Sequence, residues 1–182
     1  MTNFEIKIEI SDLKSITDVI EKSGAVYKYD MHQIDSYLSM GSFKDKIREI
    51  NGDEIQRISY DRVEISGKKE SEYDIQNISL EEKKELLNSN KILCTVDKMR
   101  RLWIYENTRI HLDTVAGLGY FLELETVIKD ISPEKGLKEF KKVMKLLKID
   151  TKMAVAYSYS DLILDKQNSG VSFVLSNKFA SV

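Results

Sequence analysis

The stretch Arg109-Ile110-His111-Leu112-Asp113-Thr114-Val115-Ala116-Gly117-Leu118-Gly119-Tyr120-Phe121-Leu122-Glu123-Leu124-Glu125 decides the fold. Successive side chains on a strand point to opposite faces, so residues two apart share one. Arg109, His111 and Asp113 therefore share a face, with Ile110 and Leu112 behind them; Glu123 and Glu125 share a face, with Leu122 and Leu124 behind them. Phe121 is the exception, an apolar residue on the Glu123 side. Gly117 and Gly119 break the chain between two strands, expected over 108–115 and 120–128.

Working outward, the same alternation predicts strands over 3–10, 33–39, 43–51, 54–62, 70–76 and 93–104. Asn51-Gly52 is a hairpin turn between two of them. Helical spacing predicts three helices. The first begins at Ser11 and carries Leu13, Ile16, Val19 and Ile20. The second begins at Ser79, with Glu82 completing a capping box. The third begins at Ser132, with Pro133 at its first position and a stripe of Leu137, Phe140, Val143, Met144, Leu146 and Leu147. Many strands and few helices predict an α+β fold, a closed eight-stranded antiparallel β-barrel with helices packed outside. One domain is expected over 1–166, with 167–182 a tail that is either disordered or an added strand.

The chain of 182 residues is 42% hydrophobic and 32% charged, with a net charge of −2. That balance argues against general nucleic-acid binding, which brings a basic excess. Cys94 is the sole cysteine, which excludes an internal disulfide and a thiolate metal cage; in Ile92-Leu93-Cys94-Thr95-Val96 it reads as a small buried hydrophobe. The charged start Met1-Thr2-Asn3-Phe4-Glu5 does not read as a signal peptide, and no apolar run approaches the roughly 20 residues of a membrane span. A cytoplasmic protein is expected, with no membrane partner and a homodimer as a possible assembly.

The polar faces of the strands carry an unusual distribution of charge. Glu5, Lys7 and Glu9 share a face, as do Lys46 and Arg48, Lys98 and Arg100, and Glu123 and Glu125. A charged face of an antiparallel sheet is ordinarily a solvated one. Here several strands are locally of one sign, and like charges at that spacing gain nothing for stability. They make sense if a polyanion bridges the basic pairs and a cation sits among the carboxylates. Hard oxygen donors select Mg²⁺ or Mn²⁺, and Mg²⁺ commonly combines one or two carboxylates with substrate phosphates.

The 109–125 segment resembles the signature of the CYTH superfamily, the triphosphate tunnel metalloenzymes, and within it the class IV adenylyl cyclase group. Supporting pieces in the same order are Glu5-Ile6-Lys7, Gln33-Ile34-Asp35-Ser36-Tyr37, Lys46-Ile47-Arg48-Glu49, Val96-Asp97-Lys98-Met99-Arg100 and Ser158-Tyr159-Ser160-Asp161-Leu162. The resemblance implies that Glu5, Glu123 and Glu125 are metal ligands, with Asp113 a ligand or a water-positioning group. It implies that Lys7, Lys46, Arg48, Lys98, Arg100 and Arg109 hold phosphates, with Arg62 a further contact or a surface arginine. Arg suits bidentate phosphate contacts, whereas Lys acts as a point charge. Lys7 and Asp113 are the catalytic candidates, Lys7 as a general base. The family's first strand carries Glu-x-Glu-x-Lys; here Asn3 stands at the first place, which offers a neutral oxygen and puts a second metal site in doubt. His111 reads as a wall residue or a substrate contact, while Trp103 and Tyr105 read as wall packing.

Phosphoryl chemistry rests on positioning and electrostatics, so one site serves several outcomes. The resemblance implies first an adenylyl cyclase converting ATP to cyclic AMP and pyrophosphate. The alternatives are a triphosphatase acting on inorganic triphosphate, thiamine triphosphate or a nucleotide, and a non-catalytic binder of polyphosphate or organic phosphate.

Overall fold

The computed structural model describes residues 3–40, 43–65 and 68–169, with the side chains of 40, 43–44, 60–65 and 68–73 outside the description. Eight strands form one antiparallel sheet: β1 Asn3–Ile10, β2 Val26–Met40, β3 Phe43–Ile50, β4 Glu54–Ile65, β5 Lys68–Asn77, β6 Ile92–Tyr105, β7 Thr108–Val115 and β8 Gly119–Val127. Their order is β1-β8-β7-β6-β2-β3-β4-β5. Among the described residues four α-helices accompany them: α1 Leu13–Lys22, α2 Leu80–Ser89, α3 Pro133–Leu146 and α4 Tyr159–Ser169. None is long and apolar enough to cross a membrane. The described residues gather into two compact units, one of residues 3–30 and 99–157, the other of 31–98 and 158–169. Strands β2 and β6 contribute residues to both.

The α+β class and all eight strands agree with the alternation. Closure does not. The order is open, with β1 and β5 at its ends, and no strand pairing joins them among the described residues. The edge of β1 is already used: Val155 donates its N–H to the Lys7 carbonyl at 2.8 Å, and Ile8 bridges Ala154. Alternation tells which face a residue takes and is silent on which edges pair, so closure was never legible from it.

Local chemistry accounts for the other differences. Helix α1 is capped by Asp12 rather than Ser11, its carboxylate accepting from the N–H groups of Lys14 at 2.9 Å and Ser15 at 3.1 Å. Strand β2 starts at Val26 rather than 33, and in its added stretch Tyr27 meets Trp103 edge-on, ring centroids 5.5 Å apart. Helix α4 had no predicted counterpart and runs through position 166, the expected domain limit. Its start is a Ser-x-x-Asp cap: the Ser158 hydroxyl accepts from the Asp161 N–H at 3.2 Å and donates to the Asp161 carboxylate at 2.7 Å. Residues 170–182 of the expected tail lie outside the described residues.

The first unit has the larger core, built from Ile8, Ile20, Trp103, Ile110, Leu112, Leu122, Leu124, Phe140, Val143 and Leu147. Helix α3 is fixed to it by Glu139, which is 7% exposed. Glu139 accepts from the Asn107 N–H at 2.8 Å, the Asn107 amide at 2.9 Å and the Thr108 hydroxyl at 2.7 Å. Replacing Glu139 by Leu removes the acceptor of the buried Thr108 hydroxyl and both Asn107 bonds, so Glu139→Leu is expected to cost about 2 kcal/mol in urea unfolding. Unchanged unfolding would show that the anchor carries no weight. In the second unit Leu38, Ile47, Ile58, Cys94, Val96 and Leu162 are buried, which bears out the structural reading of Cys94.

Candidate functional site

In the first unit the pairing register lays charged residues out in rows across β1, β8 and β7. Glu5 faces Glu125, which faces Arg109; Lys7 faces Glu123, which faces His111. Asp113 stands opposite Phe121 one row on, fully buried. The apolar backs of these strands are core residues, which is why the polar side chains have one face to occupy.

Glu123 is the hub. The Lys7 ammonium lies 3.1 Å from it, the His111 ring 3.9 Å away, and Arg100 donates to it. Arg100 also grips Asp113 with two parallel hydrogen bonds of 2.7 and 2.6 Å, the bidentate geometry that suits guanidinium to carboxylate. Lys7 further donates to the Tyr157 carbonyl at 3.3 Å. Glu125 accepts from the Asn3 amide at 2.6 Å and from Arg109 at 3.1 Å.

These contacts tune the titrating groups. Partial desolvation raises the Glu5 carboxyl above its ordinary value, and the Glu123 and Glu125 charges add to this, against Lys7 and Arg100. Burial pushes the His111 imidazole below its ordinary value and Arg100 pushes the same way, with Glu123 and Asp113 opposing. His111 is therefore held toward the neutral ring.

In the second unit the centre is Asp35 on β2, buried to 2% exposure. It accepts from Lys46 at 2.8 Å and from Arg48 through two bonds of 2.7 and 2.8 Å. Burial alone would raise its carboxyl; the Arg48 hydrogen bonds and the charges of Lys46, Arg48 and Lys98 outweigh this and hold it well below the usual carboxylate range. Lys46 lies over the Tyr37 ring and Lys98 over the Tyr159 ring, at 5.3 and 5.1 Å from the centroids, which suits buried ammonium groups.

The expected metal ligands Glu5, Asp113, Glu123 and Glu125 thus share one sheet face. They do not form a ready cage: among the described residues no three His, Cys, Asp or Glu side chains converge to hold a metal ion. Like charges avoid one another, and three of these carboxylates turn their oxygens to the cations beside them. The donor set still fits a hard divalent cation. It offers carboxylate oxygens, a Glu5 whose carboxyl is raised first by desolvation and then by the neighbouring Glu123 and Glu125 carboxylates, and the Asn3 Oδ1, which is buried and has no hydrogen-bond partner among the described residues.

Of the expected phosphate contacts, Lys7, Arg100 and Arg109 fall in the first unit, and Lys46, Arg48 and Lys98 in the second. The side chain of Arg62 lies outside the described residues. His32 stands within β2 with its ring 2.7 Å from Asp97. Asp35 was missed as a site residue, and it changes the like-charge argument, because the anion between Lys46 and Arg48 is supplied by the chain itself. A signal existed. Only residues 40–42 separate the expected strands 33–39 and 43–51, and the hairpin pairing sets Asp35 opposite Arg48 and Tyr37 opposite Lys46.

The geometry agrees with what the chain is similar to. The family model described as the CYTH domain matches residues 1–159. A Methanocaldococcus jannaschii protein named "Putative adenylate cyclase" is 30% identical over 179 residues, covering 89% of this chain and 98% of that protein. A Pyrococcus horikoshii protein superposes with a TM-score of 0.74 at 22% identity, covering 88% of this chain and 99% of that one. A Hippeastrum protein, described as a putative adenylyl cyclase that reveals a dominant triphosphatase activity, superposes with a TM-score of 0.63 at 14% identity over 91% of this chain and 96% of that one. With most of its length matched by that model, the chain belongs to the CYTH domain family.

Proposed function

We propose that this chain is a divalent-metal-dependent enzyme acting on a triphosphate, an adenylyl cyclase that converts ATP to cyclic AMP and pyrophosphate. The observation that carries the reading is the pair of rows Glu5–Glu125–Arg109 and Lys7–Glu123–His111, which put carboxylates and cations in register on one face. Glu5, Glu123 and Glu125 would hold Mg²⁺ or Mn²⁺, with Asn3 Oδ1 and Asp113 in support. When bound, the ion supplies charge neutralisation on the phosphate oxygens.

The chain's own residues do the rest. Lys7, Arg100 and Arg109 would bind phosphate oxygens at the charged rows of the first unit, and Lys46, Arg48 and Lys98 form a second candidate group of phosphate contacts within the second unit. A group that sets three cations about one carboxylate suits a polyanion. Asp113 fixes the plane of Arg100 through its two hydrogen bonds, so that the guanidinium needs no reorganisation when charge develops. Lys7, the candidate general base, would take the proton of the attacking 3′-hydroxyl only from its neutral amine form, after its ammonium has given up a proton to solvent; its Glu123 and Tyr157 contacts fix where it points.

The name of the Methanocaldococcus jannaschii relative favours the cyclase outcome. The Hippeastrum protein supports a second reading, hydrolysis of a triphosphate on the same fold. Product identification separates the two. The protein is incubated with Mg²⁺ or Mn²⁺ and, separately, ATP, inorganic triphosphate and thiamine triphosphate. Cyclic AMP with pyrophosphate is the expected result from ATP. Orthophosphate release would assign the triphosphatase, and tight binding without turnover would assign a binding module.

A further inference from the structure

Gln33 lies on β2 at 4% exposure, and its Oε1 finds no hydrogen-bond partner among the described residues. A buried amide oxygen left unpaired is costly and calls for an explanation. By alternation Gln33 shares a strand face with Asp35 and Tyr37, and the register sets Asp35 opposite Arg48 and Tyr37 opposite Lys46. The orphaned acceptor therefore stands one side chain along from the cations about Asp35. Those cations meet phosphate oxygens, which are acceptors. An acceptor such as Oε1 adds nothing for an ionised phosphate chain and needs a donor, a hydroxyl or an amino group.

We infer that Gln33 is a specificity-determining residue that accepts a hydrogen bond from the organic part of the ligand. It would thereby favour a donor-bearing triphosphate, such as a nucleotide, over inorganic triphosphate. The magnesium complex of inorganic triphosphate carries no amino group or sugar hydroxyl to satisfy Gln33. A site built to pair a polar group discriminates strongly against a ligand that lacks its counterpart. The inference rests on the triphosphate reading above and deepens it.

The test compares wild type with Gln33→Met, which keeps length and removes the acceptor, and Gln33→Glu, which keeps an acceptor. Dissociation constants for MgATP and for magnesium triphosphate are measured by calorimetry, alongside kcat/KM where turnover occurs. Wild type is expected to prefer MgATP. Gln33→Met is expected to lose that preference by about tenfold to a hundredfold, with binding of inorganic triphosphate changed less than about threefold. Gln33→Glu is expected to retain most of the preference. An equal loss for both ligands, or an unchanged ratio, overturns the inference, as does a wild type without preference. Discrimination in binding without turnover in any variant would sustain the Gln33 assignment and defeat the enzymatic reading.

Discussion

Glu123→Gln is expected to lower metal-dependent turnover on the order of a thousandfold while leaving the fold intact. Glu123 faces Lys7 on one side and His111 on the other and accepts from Arg100, so it is the most connected carboxylate of the proposed site. Gln keeps its shape and removes its charge. A metal ion that polarises phosphate is worth several kcal/mol of transition-state stabilisation, and each 1.36 kcal/mol is a factor of ten, which gives about three decades. The core behind Glu123 is Leu122 and Leu124, both fully buried, and the substitution does not touch them. Circular dichroism is therefore expected to stay near wild type, with a melting temperature lowered by no more than a few degrees, because Asp113 still holds Arg100 through two hydrogen bonds. The measurement is the initial rate with ATP at saturating Mn²⁺ or Mg²⁺. Wild-type rates in the variant would remove Glu123 from the metal site.

Asp35→Ala is expected to be the most destabilising single change in the second unit, by about 3–5 kcal/mol. Lys46 is 5% exposed, and Arg48 makes two of its hydrogen bonds to the same carboxylate. Removing Asp35 leaves two like charges side by side with little water to screen them. Asp35→Asn restores part of the hydrogen bonding and none of the charge, so its cost should fall between. The pH dependence has a definite sign. The folded-state carboxyl is held below its unfolded value, so its stabilisation is complete above about pH 4 and is lost as pH falls below that. Urea unfolding from pH 7 downward should show wild type losing stability below about pH 4, and Asp35→Asn should show a shallower decline. Parallel pH profiles in the two proteins would mean that Asp35 does not carry the effect.

The sequence was most legible where one rule acted alone. Helices α2 and α3 start at Ser79 and Ser132, as their capping residues require, and the 109–125 alternation gave β7 and β8 nearly to the residue. Where two rules competed, the reading slipped. Ser11 and Asp12 are both good caps, and the carboxylate won because it reaches two N–H groups. The closed barrel failed for a different reason: the edge of β1 is occupied by Val155, far along the chain, which no local pattern reports. The site residues were legible as a set, since alternation assigns faces, whereas their partners were not. Lys46 and Arg48 read as an unbalanced pair until the register brought Asp35 across from Arg48. Gln33 carries no charge and has no special spacing, so only its burial and its unpartnered oxygen mark it out.

The central claim is that the charged sheet face binds a triphosphate through a metal ion. Calorimetric titration of inorganic triphosphate into the protein, with Mn²⁺ and then with the metal removed by chelation, tests it most directly. The account predicts binding that weakens by at least about tenfold without the metal, and the same weakening in Glu123→Gln with the metal present. Affinity that is the same with and without Mn²⁺, or no binding under either condition, would contradict it.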